Sequence, residues 1–136
     1  MKIVGIDLSL TSTGVAVISD ELPECYITQT ITPRLSGTNR LIEIRDKLLL
    51  GWCGYTDLVV LEGYAFAKNN RAHQMGELGG VIRVALTEQR INWIEVPPAR
   101  VKKFCTGKGN APKDIMIQQV YKHWGVECKT SDEADA

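Results

Sequence analysis

The sequence predicts an α/β domain built on a mixed sheet, with antiparallel strands on one side and parallel strands on the other. Apolar runs typical of strands come first along the chain, before any helical periodicity. Further on, short apolar runs alternate with helical patterns, which is the order that gives parallel strand pairs. With 136 residues, 44% of them hydrophobic, the chain is long enough to form one domain with a real core.

The first three predicted strands come before any helix. Residues 2–7 and 13–18 are apolar, and the short connection at 8–12 predicts that they form a hairpin. Residues 24–32 alternate β-branched and polar side chains, which predicts a third strand at an edge of the sheet.

Helices and further strands follow. Apolar residues recur at helical spacing over 39–50, with Gly51 as the predicted stop. Residues 57–62 are predicted to form a strand buried on both faces. Residues 92–96 are predicted to form a further strand. A helix is predicted between them, over 71–89. Its glycines suggest close packing against the sheet or a second subunit. They are Gly76, Gly79 and Gly80.

The C-terminal part of the chain is predicted to be helical. A short helix over 99–105 and a flexible turn at 106–110 precede a helix over 111–124, which has a proline in its first turn. Thr130 and Glu133 have the spacing of a capping box, which predicts that a final helix begins there.

Composition excludes several classes of protein. No apolar stretch approaches the roughly 20 residues that a membrane span requires. The chain begins directly with a strand, so we expect no signal peptide. The cysteines are scattered and offer neither a zinc pattern nor a disulfide framework, which predicts a reducing, cytoplasmic location. They are Cys25, Cys53, Cys105 and Cys128.

Basic charge is segregated although the net charge is zero, with 16 basic and 16 acidic residues. The segment 97–113 carries five basic side chains and no acidic one. This pattern predicts a phosphate-binding face whose affinity falls with salt, and a merely solvated loop is the alternative. The five residues are Arg100, Lys102, Lys103, Lys108 and Lys113.

Four acidic residues carry the strongest chemical signal. Asp7 and Glu62 end two apolar strands, where an ionised carboxylate is costly to bury unless it is paired or bound to metal. Asp132 and Asp135 lie three residues apart, on one face of the predicted final helix. Taken singly, Asp7 could be a turn former, and the last two could favour a helix N-terminus through its dipole. Together the four predict a site for Mg²⁺ or Mn²⁺, which prefer oxygen ligands.

Such a site suits the hydrolysis of a phosphodiester. Two cations roughly 3.5–4 Å apart, bridged by one carboxylate, can activate a water and stabilise the leaving oxygen. Without metal the four carboxylates repel one another, so some of their pKa values should rise. We therefore expect activity to fall on acidification, as the ligands become protonated.

At these residues the chain resembles the RuvC family of Holliday junction resolvases, within the ribonuclease H-like superfamily. Four motifs in the family's order carry the resemblance: residues 3–7 with Thr13-Gly14, residues 61–63 with 66–69, the basic segment 97–113, and Asp132 and Asp135 before Ala136.

The resemblance implies a ribonuclease H-like five-stranded sheet flanked by helices and a Mg²⁺-dependent (or Mn²⁺-dependent) endodeoxyribonuclease with two ions per site. It implies a homodimer that nicks a four-way junction symmetrically, with its interface near residues 76–86, and neither a nucleotide cofactor nor a membrane partner. The implied catalytic residues are the metal ligands Asp7 (shared), Glu62, Asp132 and Asp135, with Lys102 and Lys113 near the scissile phosphate. The implied DNA contacts are Tyr64, Phe66, Lys68, Asn69, Arg71, Arg100, Lys102, Lys103, Lys108 and Lys113.

The chain departs from the family pattern in three places. Leu8-Ser9 stands where members usually have Pro-Gly, and Ala65 stands where an aromatic follows the catalytic Glu. Tyr64 or Phe66 could stack on an unpaired base instead, unless both are core aromatics.

The final helix is so short that it is marginal on its own. We therefore expect a single domain over residues 1–136, truncated at its C-terminal helix, with impaired metal binding.

Other functions stay open. A broader nuclease that debranches flaps and forks would need the same acids, because the cluster recognises only a phosphodiester. A non-catalytic junction-binding module is a second alternative. An actin-like sugar kinase or ATPase has a similar opening strand but also needs a second glycine-rich phosphate loop, which this sequence lacks.

Overall fold

A five-stranded mixed sheet forms the centre of the fold in the computed structural model, which describes residues 1–20, 26–63 and 72–136. The strands are β1 (Lys2–Asp7), β2 (Thr13–Ser19), β3 (Tyr26–Ile31), β4 (Leu58–Glu62) and β5 (Trp93–Val96). The helices are α1 (Gly37–Leu48), α2 (Ala72–Glu88), α3 (Pro98–Thr106), α4 (Lys113–Trp124) and α5 (Ser131–Asp135).

The strand order is β3-β2-β1-β4-β5, and the pairing follows the predicted division. Strands β1, β2 and β3 pair antiparallel, whereas β4 pairs parallel with β1 and β5 pairs parallel with β4. The predicted mixed α/β sheet, its hairpin and its edge strand are therefore confirmed. The predicted start of β3, at Glu24 and Cys25, lies outside the described residues.

The two faces of the sheet are covered unequally. Alternate residues such as Val4, Ile6, Val59 and Leu61 are fully buried in the main core, which α1 and α2 complete. On the opposite face α5 packs against β2, β1 and β3, and it touches α3 and α4. Val60 on β4 is only half-buried, so the predicted burial of this strand on both faces is not met. Helix α5 is too short to cover β4 as well.

Helix α5 is anchored although it has five residues. A Cβ on Gly5 would overlap the carbonyl oxygen of Ala136, and a Cβ on Gly14 would overlap that of Asp132. Only glycine at these two strand positions lets the helix backbone lie directly on the sheet. A small second core between α3, α4 and α5 completes the anchor, through buried Cys105, Met116 and Ala134.

Several helix boundaries differ from the prediction. Gly51 does not end α1, because a π-helical turn, Leu49–Cys53, continues the helical path until Gly54 takes an extended conformation. The burial of Leu48 and Cys53 in the main core stabilises this extra turn. Pro112 is the N-cap of α4 and does not lie inside its first turn.

Helix α2 carries the three glycines in different surroundings. Gly79 is buried beside Leu78, but a Cβ on Gly76 or Gly80 would meet no atom of the described chain within 4 Å. Gly79 is therefore packed inside the fold, whereas close packing against a second subunit at Gly76 and Gly80 stays a prediction. Its predicted first residue, Arg71, lies outside the described residues. Among the helices described, none is long and apolar enough to cross a membrane.

Candidate active site

Asp7 and Glu62 lie side by side at one edge of the sheet. Ile6 of β1 is paired with Leu61 of β4 in a parallel register, so the next residue of each strand falls at the same level. Successive strand residues point to opposite faces. Both carboxyl groups therefore lie on the face opposite the main core, and a hydrogen bond joins them.

Helix α5 brings the other two acids to this edge. Asp7 is paired with Gly14 of β2, and the backbone of Asp132 lies directly on Gly14. The negative charges of Asp132 and Asp135 both raise the pKa of Asp7, and that of Asp135 also raises the pKa of Glu62. The structure thus assembles the four predicted acids from three parts of the chain.

Burial and mutual repulsion keep protons on this cluster. Burial, followed by the hydrogen bond to Glu62 and by the neighbouring acidic charges, raises the pKa of Asp7 to about 9. Burial is also the main cause of the raised pKa values of Glu62 and Asp135, which the positive charges of Lys102 and Lys113 oppose. The hydrogen bond with Asp7 lowers the pKa of Glu62, so a protonated Asp7 donates to an ionised Glu62.

Asp132 and Asp135 have different polar surroundings. The Ser12 hydroxyl donates a hydrogen bond of 2.5 Å to Asp132 Oδ2, and Lys113 Nζ lies 3.7 Å from Asp132 Oδ1. Asp135 is buried, and its Oδ1 has no hydrogen-bond partner in the part of the chain that the structure describes. A buried oxygen without a partner is costly, because it has lost its hydrogen bonds to water.

The cluster fits a hard divalent cation in its chemistry. All four side chains offer oxygen, one of these oxygens is buried without a partner, and burial raises the pKa values of Asp7, Glu62 and Asp135. However, no three Asp, Glu, His or Cys side chains of the described ranges are arranged as a ready metal-ligand set. Asp7 and Glu62 share a proton, and Asp132 is hydrogen-bonded to Ser12. Cation binding must therefore displace a proton and turn these carboxyl groups.

The predicted basic segment divides into two parts. Lys102 on α3 and Lys113 at the start of α4 are close enough for their charges to act on Glu62 and Asp135. The remaining three, Arg100, Lys103 and Lys108, are exposed and form no ion pair with the described residues. Most of the segment is helical, since α3 spans Pro98–Thr106, and phosphate binding by its exposed basic side chains stays a prediction.

Five of the predicted DNA contacts lie outside the described residues and stay predictions. They are Tyr64, Phe66, Lys68, Asn69 and Arg71.

The structure adds residues that the sequence did not single out. Ser12 orients Asp132, and Thr30 of β3 donates to the carboxylate of Glu133, which is not among the proposed ligands. Thr30 and Glu133 are 103 residues apart in the chain, so no local pattern could have paired them. A glycine within a β-strand can mark a close backbone approach, and Gly14 carries that signal.

Comparison with known proteins identifies the family. The sequence profile of the family described as crossover junction endodeoxyribonuclease RuvC matches residues 3–136. A RuvC of Carboxydothermus hydrogenoformans (strain ATCC BAA-161 / DSM 6008 / Z-2901) is 34% identical, over 100% of this chain and 90% of its own length. A RuvC of Synechococcus sp. (strain WH7803) is 30% identical, over 100% of this chain and 93% of its own length.

A solved structure supports the same fold. RuvC of T. thermophilus in complex with a Holliday junction substrate superimposes with a TM-score of 0.81 at 23% identity, covering 100% of this chain and 88% of that chain. The mixed sheet with its flanking helices is the ribonuclease H-like fold. This chain therefore belongs to the RuvC family of crossover junction endodeoxyribonucleases.

Proposed function

We propose that this protein is a metal-dependent, structure-selective endonuclease that resolves four-way DNA junctions by paired symmetric nicks. One observation carries the proposal: Asp7, Glu62, Asp132 and Asp135 converge at one edge of the sheet with Lys102 and Lys113 beside them. Membership of the RuvC family supports junction DNA as the substrate. Recombination and repair of DNA in the cytoplasm are the processes that such an activity serves.

The four carboxylates would hold Mg²⁺ or Mn²⁺, with Asp7 as the shared ligand of two ions. When bound, such ions would supply activation of a water and stabilisation of negative charge on the leaving oxygen. Asp7 suits the shared position because it lies between Glu62 on one neighbouring strand and the α5 acids over the other. Within Asp135, Oδ1 would be the oxygen that binds metal, since it is buried without a hydrogen-bond partner in the described chain.

Lys102 and Lys113 would bind the phosphate next to the scissile bond. Their charges already act on Glu62 and Asp135. Lys113 is exposed, which leaves its ammonium group free to turn from Asp132 toward a phosphate. The exposed side chains of Arg100, Lys103 and Lys108 would extend the contact along the DNA backbone, and such contacts weaken as salt rises.

The junction requires two active sites, and a homodimer supplies them. Helix α2 supports an interface, because Gly76 and Gly80 have open space where a side chain would stand. A helix interior does not favour glycine, so a close partner helix gives these two positions a physical reason. Tyr64 or Phe66 would stack on unpaired bases at the junction centre.

Cleavage of labelled DNA tests the proposal directly. An end-labelled synthetic four-way junction is incubated with Mg²⁺ or Mn²⁺ beside a linear duplex of the same arm sequence. Asp7→Asn removes a carboxylate of the cluster, and Asp46→Asn serves as the matched control because Asp46 lies on α1, against the other face of the sheet.

Paired symmetric nicks in the junction alone, lost in Asp7→Asn and kept in Asp46→Asn, are the expected result. Equal cutting of flaps and forks would indicate a general debranching nuclease. That outcome has some support in Leu8-Ser9 and Ala65, where the chain departs from the family pattern. Junction binding without cutting at any metal concentration would indicate the non-catalytic module.

A further inference from the structure

We propose that Glu133 is a positioning residue whose carboxylate ties α5 to the edge strand β3 and thereby sets the placement of Asp132 and Asp135. The inference rests on the proposed function, because it assigns a role to Glu133 in building that metal site. Glu133 would not be a metal ligand itself, since its carboxylate is directed to Thr30 of β3 and to the backbone of Lys129, and it does not share the helix face of Asp132 and Asp135.

Glu133 is buried, with 4% of its surface exposed. Its Oε1 accepts a hydrogen bond of 2.8 Å from the Thr30 hydroxyl, and its Oε2 accepts one of 2.8 Å from the backbone N–H of Lys129. A buried carboxylate is costly to desolvate unless such bonds compensate it. The two bonds connect α5 to β3 and to the segment that leads into the helix.

A closed ring of hydrogen bonds surrounds this contact. The Glu133 N–H donates to Thr130 Oγ1 at 3.2 Å, and the oxygens of Thr30 and Thr130 lie 3.2 Å apart. The single hydroxyl proton of Thr30 goes to Glu133, so the Thr130 hydroxyl must donate to Thr30. Each member fixes the orientation of the next, which makes the ring a rigid attachment.

Helical geometry converts this attachment into a constraint on the acids. Successive helix residues are rotated by about 100°, so Glu133 points away from the face that Asp132 and Asp135 share. Strand β3 lies on the far side of β2 from β1. Holding Glu133 on β3 therefore fixes the rotation that turns the two aspartates toward Asp7. A helix of five residues cannot fix that rotation by its own backbone bonds.

Mn²⁺ binding to the 136-residue protein without DNA tests the inference, with free Mn²⁺ measured by electron paramagnetic resonance. Thr30→Val and Glu133→Ala each remove the contact. Glu133→Gln removes the negative charge but keeps both hydrogen bonds. Its amide oxygen can accept from the Lys129 N–H, while its NH₂ group donates to a reoriented Thr30 hydroxyl. Ile44→Val lowers stability in the main core, against the other face of the sheet, and is the control for instability alone.

We expect Thr30→Val and Glu133→Ala to weaken Mn²⁺ binding by roughly 10–100-fold. This range is typical when a residue that orients a metal ligand is mutated. Glu133→Gln should bind close to the parent, and so should Ile44→Val. Hydrogen exchange should increase over residues 129–136 in the first two variants only.

Three outcomes would overturn the inference. Parent-like binding in Thr30→Val and Glu133→Ala, with faster exchange in α5, would mean that the contact anchors the helix without affecting the site. Weakening by Glu133→Gln equal to that by Glu133→Ala would assign the effect to charge. If the parent itself bound no Mn²⁺, the proposed metal-dependent function would fail together with this inference.

Discussion

The backbone of Asp132 lies on Gly14 so closely that a Cβ on Gly14 would overlap the Asp132 carbonyl oxygen. Gly14 is also the strand partner of Asp7. This single contact therefore joins the N-terminal hairpin to the last helix and sets two of the four acids beside each other. The obstructing atoms belong to the backbone of α5, so a side chain at Gly14 would have to displace the whole helix.

Gly14→Ala is expected to detach α5 from the sheet. Overpacking against a backbone should cost about 1–3 kcal/mol of folding free energy and should abolish metal binding through Asp132 and Asp135. Thermal unfolding and Mn²⁺ titration measure the two effects. Gly51→Ala is the matched control, because a Cβ there meets no atom of the described chain within 4 Å. Normal metal binding by Gly14→Ala would show that the contact does not shape the site.

Ser12→Ala is expected to weaken metal binding with little effect on stability. The Ser12 hydroxyl donates to Asp132 Oδ2 at 2.5 Å, and loss of such a partner of a metal ligand typically weakens affinity roughly 10–100-fold. Ser12→Thr keeps the hydroxyl and should bind metal like the parent. Calorimetric titration with Mn²⁺ separates the variants, and equal affinities for Ser12→Ala and Ser12→Thr would rule out this orienting role.

Asp7→Asn is expected to stabilise the metal-free protein. The folded pKa of Asp7, about 9, lies above its ordinary value of 3.8, so the folded state binds the extra proton. The stability that this proton brings is complete below pH 3.8 and is lost as pH rises toward 9. Asparagine avoids that loss, so the variant should gain at least about 1.4 kcal/mol over the parent by pH 8, the equivalent of one pKa unit.

Urea unfolding in EDTA at several pH values measures this difference. The gap between Asp7→Asn and the parent should widen from pH 4 to pH 9, and added Mg²⁺ should reverse it by stabilising the parent alone. A gap that is constant with pH would mean that Asp7 does not hold its proton in the folded state.

Metal affinity is expected to rise with pH. A cation must displace the proton that Asp7 holds below pH of about 9, so apparent affinity should increase up to tenfold per pH unit. Cleavage at limiting Mg²⁺ should therefore fall on acidification and should recover in part at saturating Mg²⁺. The measurement is junction cleavage from pH 4 to pH 9 at two metal concentrations. Activity unchanged down to pH 4 would contradict the carboxylate site.

Gly76→Glu is expected to disrupt the proposed dimer without unfolding the subunit. A Cβ at Gly76 meets nothing within 4 Å in the described chain, so the side chain has room in the monomer but not against a closely packed partner helix. Analytical ultracentrifugation measures the change in mass. Gly51→Glu adds the same charge at an open position in the turn Leu49–Cys53 that follows α1, and it should leave the proposed dimer intact. An unchanged mass for Gly76→Glu would exclude this face of α2 as the interface.

The sequence alone determined the sheet, its two kinds of pairing and the identity of the four acids. Strand patterns are local, because alternation and apolar runs follow from which faces a strand buries, and the strand–helix order then dictates the pairing. Asp7 and Glu62 stood out because an ionised carboxylate at the end of an apolar strand is costly to desolvate unless it is paired or bound to metal. Boundaries were less accurate, as at Gly51, because the burial of Cys53 outweighs the intrinsic cost of a helical glycine.

Only the tertiary structure decided how α5 is held and how the acids share protons. A five-residue helix is marginal by local criteria, but the glycines of β1 and β2 and the contact between Thr30 and Glu133 anchor it. Those partners are far apart in the chain, and the energy of each contact depends on burial that no local pattern records. The raised pKa of Asp7 has the same origin, because burial and three neighbouring carboxylates exist only once the chain has folded.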